Sequence, residues 1–354
     1  MSGFMAVYTV LNAKVISDIL KKYDVGVLRR FEPISSGIEN TNYFVWTESD
    51  DSPIQWVLTI FENLSEESLP FFTRLTVDLS NQGFAVPAPQ KMKNSQFVFS
   101  INYSLSSSID NDQLEHKKYG VLVPKFEGVA DHYPDVSKCR KIAIYTAKMH
   151  SALNDFESNH SVQHSLEWCE HLVGILSPLI PQDDAHLLRL ALARYYNYKI
   201  LIEQCSEGIV HGDLFRDNVL FEKNEISGVI DFYNAGSTAF LFDLAVIAND
   251  WAVNFDQLPA LFSKSDSAID DVDLKAIYNE QKLTALIGAY ESEKHFSQAE
   301  REAWPRLLEL AAFRFWLSRL KTKYVQSYQQ ASKAGEVIKS PEAMKVILLA
   351  AIAR

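Results

Sequence analysis

Apolar positions in the first part of the chain repeat with the spacing of one helix and then of several strands. Residues 12–23 carry apolar side chains at helical spacing, which predicts an opening helix with one buried face. Stretches rich in β-branched and aromatic residues follow at 27–34, 41–47 and 54–61, separated by turn-forming residues. They predict an antiparallel meander.

A second helix is predicted at 65–82, where Ser65 is a candidate N-cap and Gly83 a stop signal. Short strands are predicted around 97–101 and 119–123. The first third of the chain therefore reads as a sheet with few helices.

The pattern changes after Ser137, where long helical periods replace the strands. The predicted helices include 137–152, 184–204, 272–292 and 297–325. A single strand pair, 219–221 with 228–230, interrupts them. Strands and helices that are segregated along the chain predict an α+β fold in two lobes, not an alternating parallel sheet.

Composition narrows the class of protein. The 354 residues carry a net charge of −11, which argues against nucleic acid as a partner because such proteins present a basic face to phosphate. The three cysteines have no paired spacing, so buried, idle thiols in a reducing compartment are expected. No apolar run approaches the ~20 residues of a membrane span. We expect a cytoplasmic protein whose partners are small molecules.

The candidate chemistry lies in residues 208–221 and 229–233. Asp213 and Asn218 have the Asp-x-x-x-x-Asn spacing of a kinase catalytic loop, and Asp231 follows the second predicted strand, where a metal-binding Asp belongs. Any one of these residues alone is more often a cap or turn residue. Their joint spacing favours phosphoryl transfer.

Residue chemistry supports those roles. Phosphoryl transfer requires in-line positioning and neutralisation of phosphate charge, and Mg²⁺ prefers hard oxygen ligands. Asn218 and Asp231 therefore fit as metal ligands, and Asp213 fits as the group that accepts the proton of an attacking hydroxyl.

Three neighbouring residues have more than one interpretation. His211 is expected to organise the loop through hydrogen bonds and not to transfer protons. Asp217 reads as a solvated or loop-bracing carboxylate. Arg216 could contact phosphate or a substrate carboxylate, and a surface ion pair is an equal alternative.

The chain resembles the aminoglycoside phosphotransferase and choline kinase superfamily, and within it the homoserine kinase family. The resemblance spans nearly the whole chain. Its main segments are Ser-Gly-Ile-Glu-Asn-Thr-Asn-Tyr (36–43), Val-Leu-Thr-Ile-Phe-Glu (57–62), Leu-Pro-Phe-Phe (69–72), Val-Pro-Ala-Pro (86–89), His-Gly-Asp-Leu-Phe-Arg-Asp-Asn-Val-Leu-Phe (211–221), Val-Ile-Asp-Phe-Tyr (229–233), Asp-Leu-Ala (243–245) and Asn-Asp-Trp (249–251).

This resemblance implies a protein-kinase-like fold and transfer of the γ-phosphate of ATP to the side-chain hydroxyl of L-homoserine, a step of threonine biosynthesis. It implies an N-terminal nucleotide-binding lobe at 1–123 and a helical lobe with the acceptor site at 124–354. Asp213 would be the catalytic base, and Asn218 and Asp231 the Mg²⁺ ligands.

Further residues would bind ATP by the same resemblance. The loop from Ser35 to Asn42, with Ser36 and Gly37, would cover the phosphates. Adenine would contact backbone in the 121–126 segment, near Val123 and Lys125.

Thr59 departs from the protein-kinase pattern, because it occupies the third-strand position where those enzymes place a phosphate-binding Lys. Backbone N–H groups of the 35–37 loop could take over part of that role. The departure also motivates an alternative, a nucleotide-binding pseudokinase, although all three catalytic-type residues are retained.

The acceptor site is not readable from the sequence. A zwitterion such as homoserine needs a carboxylate for its ammonium and an Arg, Lys or N–H cluster for its carboxyl group. Asp250 and Trp251 are candidates, with a core position more usual for a Trp. Choline, ethanolamine, methylthioribose and aminoglycosides are alternative acceptors, and a polycationic aminoglycoside would suit the acidic charge.

Overall fold

The computed structural model describes residues 9–34, 40–49, 52–104, 115–158, 160–162, 165–262, 269, 271–326 and 340–354. The chain divides between Glu127 and Gly128 into two compact units. We refer to them as the sheet unit and the helical unit.

The sheet unit contains an antiparallel five-stranded sheet in the order β1-β2-β3-β5-β4. Its strands are β1 (Val27–Pro33), β2 (Asn40–Ser49), β3 (Ser52–Phe61), β4 (Phe99–Ser104) and β5 (Glu115–Pro124). Its helices are α1 (Ala13–Leu20) and α2 (Leu69–Asn81). The predicted meander is therefore present as β1 to β3.

One face of this sheet is buried against α1. The helix begins at Asn12, whose side chain accepts a hydrogen bond from the Val15 backbone N–H at 3.0 Å. Its apolar stripe joins strand residues in one core. Fully or almost fully buried members of that core are Ile16, Ile19, Tyr43, Val45, Leu58, Ile60 and Leu122.

The start of α2 differs from the sequence prediction. The helix begins at Leu69 with Ser68 as its N-cap, and Ser65 lies in the preceding turn. Pro70 explains the later start, because a helix that began near Ser65 would carry this proline beyond its first turn, where proline removes a helical hydrogen bond and clashes with the preceding turn.

The helical unit holds the long helices that the sequence predicts, with adjusted ends. Its helices are α3 (Val136–Ala152), α4 (Leu166–Leu176), α5 (Gln182–Ile202), α6 (Leu241–Trp251), α7 (Asp271–Ala276), α8 (Glu280–Glu291), α9 (Gln298–Lys321) and α10 (Pro341–Ile352). The single helix predicted at 272–292 is wrong, because α7 and α8 are separate and Asn279 caps α8 by accepting from the Lys282 N–H.

Short strands in this unit are more numerous than the one pair that the sequence predicts. The hairpin β8 (Val219–Glu222) and β9 (Glu225–Val229) is present, and β6 (Val129–Ala130) pairs with β8. A second pair joins β7 (Glu207–Val210) to β10 (Gly236–Ala239). Strands of four residues that contain Gly208 and Gly236 carry too little periodicity to be recognised from sequence.

The helical core is built around α6 and α9. Every residue of α6 is buried, including Asp243 and Asp250. The capping box of Ser297 and Glu300 begins α9. The three cysteines are free and buried, as predicted, and burial raises each thiol pKa to about 11 or 12. No described helix is long and apolar enough to cross a bilayer.

Candidate active site

The motif-bearing segment folds as one continuous scaffold in the helical unit. Strand β7 leads into the loop 211–215, a 3-10 turn spans Arg216–Asn218, and the β8–β9 hairpin follows directly. Val219 pairs with Val229, and the Ile230 N–H donates to the Asn218 carbonyl at 2.9 Å. The predicted hairpin thus closes at its base beside Asn218 and Asp231.

Asn218 is oriented by Asp213. Its Nδ2 donates to the Asp213 carbonyl at 2.8 Å and to Asp213 Oδ2 at 3.1 Å. Because the amide is planar, these bonds leave Oδ1 of Asn218 on the opposite side as an acceptor. The loop therefore presents an amide oxygen and a carboxylate from two residues that are locked to each other.

Asp231 has a left-handed backbone, with φ 68° and ψ 57°. This conformation is uncommon for a residue other than glycine, and such strain clusters at functional sites. A short 3-10 turn, Phe232–Asn234, begins immediately after it. The end of the hairpin and this turn fix the backbone position of Asp231.

His211 holds the loop as the sequence analysis expects. Its Nδ1 accepts from the Asp213 N–H at 3.2 Å, so its Nε2 carries the proton and donates to the Ile230 carbonyl at 2.9 Å. The side chain is fully buried. Burial lowers the pKa of His211 although the Asp243 charge acts in the opposite direction, and the ring stays neutral near pH 7.

Asp243 is the residue that sequence reasoning missed as a support for this loop. Its carboxylate accepts from the backbone N–H groups of His211 and Gly212, both at 2.8 Å, and lies 3.0 Å from Nε2 of His150. Burial alone would raise the pKa of Asp243, but the hydrogen bond with His150 and the nearby histidines hold it below its usual range. The available signal was an acidic residue among apolar neighbours at the start of α6.

Gly212 cannot be replaced without strain. Its φ is 79°, and a Cβ built there would lie 2.5 Å from the Asn234 carbonyl oxygen. The close approach of the 232–234 turn to the loop therefore explains the glycine between His211 and Asp213.

Arg216 is engaged in an ion pair. Its guanidinium bonds the Asp250 carboxylate at 3.0–3.3 Å, and its backbone N–H donates to the same carboxylate at 2.8 Å. The ring centroid of Phe255 lies 4.2 Å from the guanidinium carbon. This is the ion pair that the sequence analysis held as the alternative for Arg216, although it is largely buried and not on the surface.

The same contacts account for the two acceptor candidates on α6. Asp250 is 5% exposed and its carboxylate is occupied by Arg216. Trp251 is 1% exposed and donates from Nε1 to the Leu214 carbonyl at 3.2 Å. Both residues support the loop through these contacts. Because their polar groups already bond to Arg216 and Leu214, the structure does not favour them as acceptor contacts.

In the sheet unit, Asn42 and Val123 share a face. Asn42 pairs with Thr59 across β2 and β3, and Thr59 pairs with Val121 on β5. Thr59 Oγ1 donates to Asn42 Oδ1 at 2.7 Å. By strand alternation this face is opposite to the one that α1 covers. Thr59 is thus a buried partner of Asn42.

Lys125 lies just beyond β5. Its Nζ is 3.5 Å from a Glu127 carboxylate oxygen and 5.9 Å from the ring centroid of Phe44. The other predicted phosphate-loop residues, Ser35, Ser36 and Gly37, lie outside the described residues.

Comparison with known proteins identifies the family. Residues 30–262 match the model of a phosphotransferase enzyme family, abbreviated APH. That match spans most of the chain and includes every candidate site residue. The chain belongs to this phosphotransferase family.

Relatives within the phosphotransferase family cover the chain almost end to end. One is named homoserine kinase in Janthinobacterium sp. (strain Marseille), 31% identical over 318 residues, which are 89% of this chain and 88% of the relative. Another, named homoserine kinase in Ralstonia pickettii (strain 12J), is 32% identical over 329 residues, 91% and 89% of the two chains.

Solved structures confirm the predicted protein-kinase-like fold of this phosphotransferase. The amicoumacin kinase hAmiN, solved with AMP-PNP and Ca²⁺, aligns with a TM-score of 0.64 at 16% identity, covering 95% of this chain and 92% of its own. Choline kinase from Cryptosporidium parvum Iowa II aligns with a TM-score of 0.58 at 14% identity, covering 91% and 93%. At these identities the likeness concerns the fold alone.

The donor set of the phosphotransferase loop fits a magnesium ion. Asn218 Oδ1 and the Asp231 carboxylate are hard oxygen donors, and Mg²⁺ is usually held by one or two protein ligands together with substrate phosphates. Among the described residues no group of three or more His, Cys, Asp or Glu forms a closed metal site. Two protein ligands suit a metal ion whose other ligands are the phosphates of a bound nucleotide and water.

Proposed function

We propose that this chain is a homoserine kinase, which transfers the γ-phosphate of ATP to the side-chain hydroxyl of L-homoserine and forms O-phospho-L-homoserine for threonine biosynthesis. The observation that carries the proposal is the full-length similarity, at 31–32% identity, to relatives named homoserine kinase. The locked Asp213–Asn218 pair at the end of β7 supports it from the structure.

Asp213 is proposed as the general base. The acceptor hydroxyl gives its proton to the Asp213 carboxylate, its oxygen bonds to the γ-phosphorus, and the bond from that phosphorus to the bridging oxygen breaks to release ADP. The hydrogen bond from Asn218 Nδ2 fixes the carboxylate in one orientation. His211 stays neutral and keeps the backbone of Asp213 in place.

Asn218 and Asp231 are proposed as the residues that hold Mg²⁺. When bound, the ion neutralises charge on the phosphates of ATP. We expect Asp231→Asn to raise the Mg²⁺ concentration needed for nucleotide binding by on the order of a hundredfold. Fluorescent-nucleotide binding during a Mg²⁺ titration measures this independently of turnover. An unchanged Mg²⁺ midpoint would remove Asp231 from the metal site.

Nucleotide binding is proposed for the sheet unit. The shared face of Asn42 and Val123 and the backbone near Lys125 would contact ATP, and the Ser35–Ser36–Gly37 segment would cover its phosphates. We infer that residues 1–123 serve as the nucleotide lobe and residues 124–354 as the catalytic and acceptor lobe.

An acceptor screen tests the proposal. ADP release with Mg²⁺-ATP is measured for L-homoserine, choline, ethanolamine, methylthioribose and kanamycin, and the product is identified by mass. Strong turnover on homoserine alone is expected. Turnover of another acceptor alone would support the kinase activity but contradict homoserine as the substrate. ATP binding without turnover of any acceptor would favour a pseudokinase.

A further inference from the structure

Arg319 lies near the C-terminal end of α9, beside the loop that carries Asp213. Its guanidinium carbon is 5.7 Å from the centroid of the Phe215 ring, which is within the range of a cation–π contact. The Phe215 backbone N–H donates to the Asp213 carbonyl at 2.8 Å, and the ring packs edge-on against Phe315 of α9, with 4.6 Å between centroids. One aromatic side chain therefore connects Arg319 to the loop, two positions after Asp213.

The guanidinium of Arg319 has capacity for a ligand. Arg216, the arginine within the loop, is occupied by Asp250. Arg319, in contrast, forms no ion pair among the described residues, and its hydrogen bond from Nη1 to the Ser340 carbonyl is long, at 3.5 Å. A guanidinium has five N–H donors, and this contact uses one of them. The side chain is partly exposed, so a ligand from solvent can reach the remaining donors.

The surroundings of Arg319 are acidic. Burial lowers the pKa of Arg319, whereas the charges of Asp250, Asp213 and Asp217 act in the opposite direction. These aspartates would repel a carboxylate that is brought next to Asp213 without a cation beside it. An acceptor that carries a carboxylate therefore needs a cation such as Arg319, whereas a neutral or cationic acceptor does not.

A short hydroxy amino acid has the length that this arrangement requires. In L-homoserine four bonds of about 1.5 Å join the carboxyl carbon to the hydroxyl oxygen, so the two atoms are about 5 Å apart when the chain is extended. The 5.7 Å between the Arg319 guanidinium carbon and the Phe215 ring centroid is of the same order. A planar guanidinium can also bind a carboxylate through two parallel N–H···O bonds.

We propose that Arg319 binds the α-carboxylate of the amino-acid acceptor and thereby determines acceptor specificity. The proposal rests on the proposed function and deepens it. An acceptor held by its carboxylate at Arg319 extends its hydroxyl towards Asp213, the proposed base. Choline and ethanolamine have no carboxylate and cannot form this bond.

The test compares two acceptors that differ in one group, L-homoserine and 3-amino-1-propanol, which lacks only the carboxylate. For the wild-type protein we expect kcat/KM to favour homoserine by on the order of a hundredfold, because the analogue cannot form the charge-assisted bonds. Arg319→Met should bring that ratio close to one by lowering kcat/KM for homoserine alone. KM for ATP should stay unchanged.

Arg306→Met is the matched control. Arg306 is another partly exposed arginine of α9, and its guanidinium pairs with Glu309 at 3.0 Å. Arg194 also pairs with Glu309, so this carboxylate keeps a partner in the variant. Arg306→Met should change kcat/KM for both acceptors by the same factor and leave their ratio at the wild-type value.

Three outcomes would overturn the proposal. If the wild-type protein phosphorylates homoserine and Arg319→Met leaves the ratio unchanged, the role of Arg319 is wrong and the proposed function stands. Equal losses for both acceptors together with a raised KM for ATP would assign Arg319 to the phosphates. Wild-type turnover of neither acceptor would overturn the proposed function and the role of Arg319 with it.

Arg319→Lys decides if Arg319→Met does not fold. Lysine keeps the charge but cannot form two parallel bonds to a carboxylate, so KM for homoserine should rise by on the order of tenfold. The value of kcat/KM for 3-amino-1-propanol should stay unchanged. An unchanged KM for homoserine in Arg319→Lys would contradict the proposal.

Discussion

The two units of the chain hold their candidate residues in different ways. In the helical unit, Asp213, Asn218 and His211 hydrogen-bond to one another, and buried Asp243 holds the backbone beneath them. In the sheet unit, Asn42 lies on β2, and Val123 and Lys125 lie at the end of β5; Asn42 accepts from Thr59 and Lys125 pairs with Glu127, so these candidates bond to other residues and not to one another. The proposed proton transfer and metal binding require atoms in fixed positions, whereas the proposed nucleotide contacts are spread over one face of the sheet.

The largest expected effect comes from removing the support of the loop. Asp243→Ala leaves two buried backbone N–H groups and His150 without the carboxylate, which costs about 3–5 kcal/mol of the free energy of unfolding. Chemical denaturation measures the loss, and turnover should fall with it. Asp183→Ala, an exposed aspartate on α5, is the control and should change stability by less than about 0.5 kcal/mol.

A pair of glycine variants should change stability in opposite directions. Gly212→Ala places a Cβ at φ 79° and 2.5 Å from the Asn234 oxygen, and it should destabilise by about 1–2 kcal/mol or more. Gly174→Ala lies in α4 with no atom within 4 Å of the new Cβ, and it should stabilise by about 0.5–1 kcal/mol. Equal unfolding midpoints for the two variants would contradict the tight loop packing.

Acid should weaken the helical unit through His211. Its folded pKa lies below the ordinary value of 6.5, so at a pH between the two values the unfolded chain binds a proton that the folded chain does not. The stabilisation is complete above pH 6.5 and is lost as pH falls through the lower folded value. Unfolding curves between pH 8 and pH 5 should show this slope, and His211→Gln should reduce it. If the free energy of unfolding of His211→Gln depends on pH as steeply as that of the wild-type protein, groups other than His211 cause the dependence.

The smallest expected effect lies in the sheet unit. Thr59→Val removes the hydroxyl that orients Asn42. The loss of this hydrogen bond should lower the free energy of unfolding by roughly 1 kcal/mol. If Asn42 contacts the nucleotide, KM for ATP should rise a few-fold while KM for the acceptor stays unchanged. A change confined to the acceptor would show that this face does not serve ATP.

Sequence predicted the parts of the site that depend on spacing along the chain. The hairpin between Asn218 and Asp231 is confirmed, because the strand pattern between them is local. The roles of Asp213, Asn218 and Asp231 stay a prediction. The α+β class followed from the segregation of strand and helix periods, and the solved relatives confirm it.

Contacts over long sequence separation could not be predicted. Asp243 becomes recognisable as a support only when the fold brings α6 beside the loop, because its bonds to His211 and Gly212 join residues that are 32 and 31 positions apart in the sequence. The partner of Arg216, Asp250, is 34 positions away and could not be predicted for the same reason. Short strands such as β7 and β10 form because tertiary pairing stabilises them, not local propensity.

The most direct test of the central claim is the turnover of Asp213→Asn with Mg²⁺-ATP and L-homoserine, measured together with ATP binding on the same sample. Asp217→Asn, an exposed carboxylate in the same turn, is the matched control and should keep near-normal activity. We predict that Asp213→Asn lowers kcat by on the order of a hundredfold or more while ATP binding is unchanged. Near-normal kcat in Asp213→Asn would contradict the assignment of the catalytic centre to this loop.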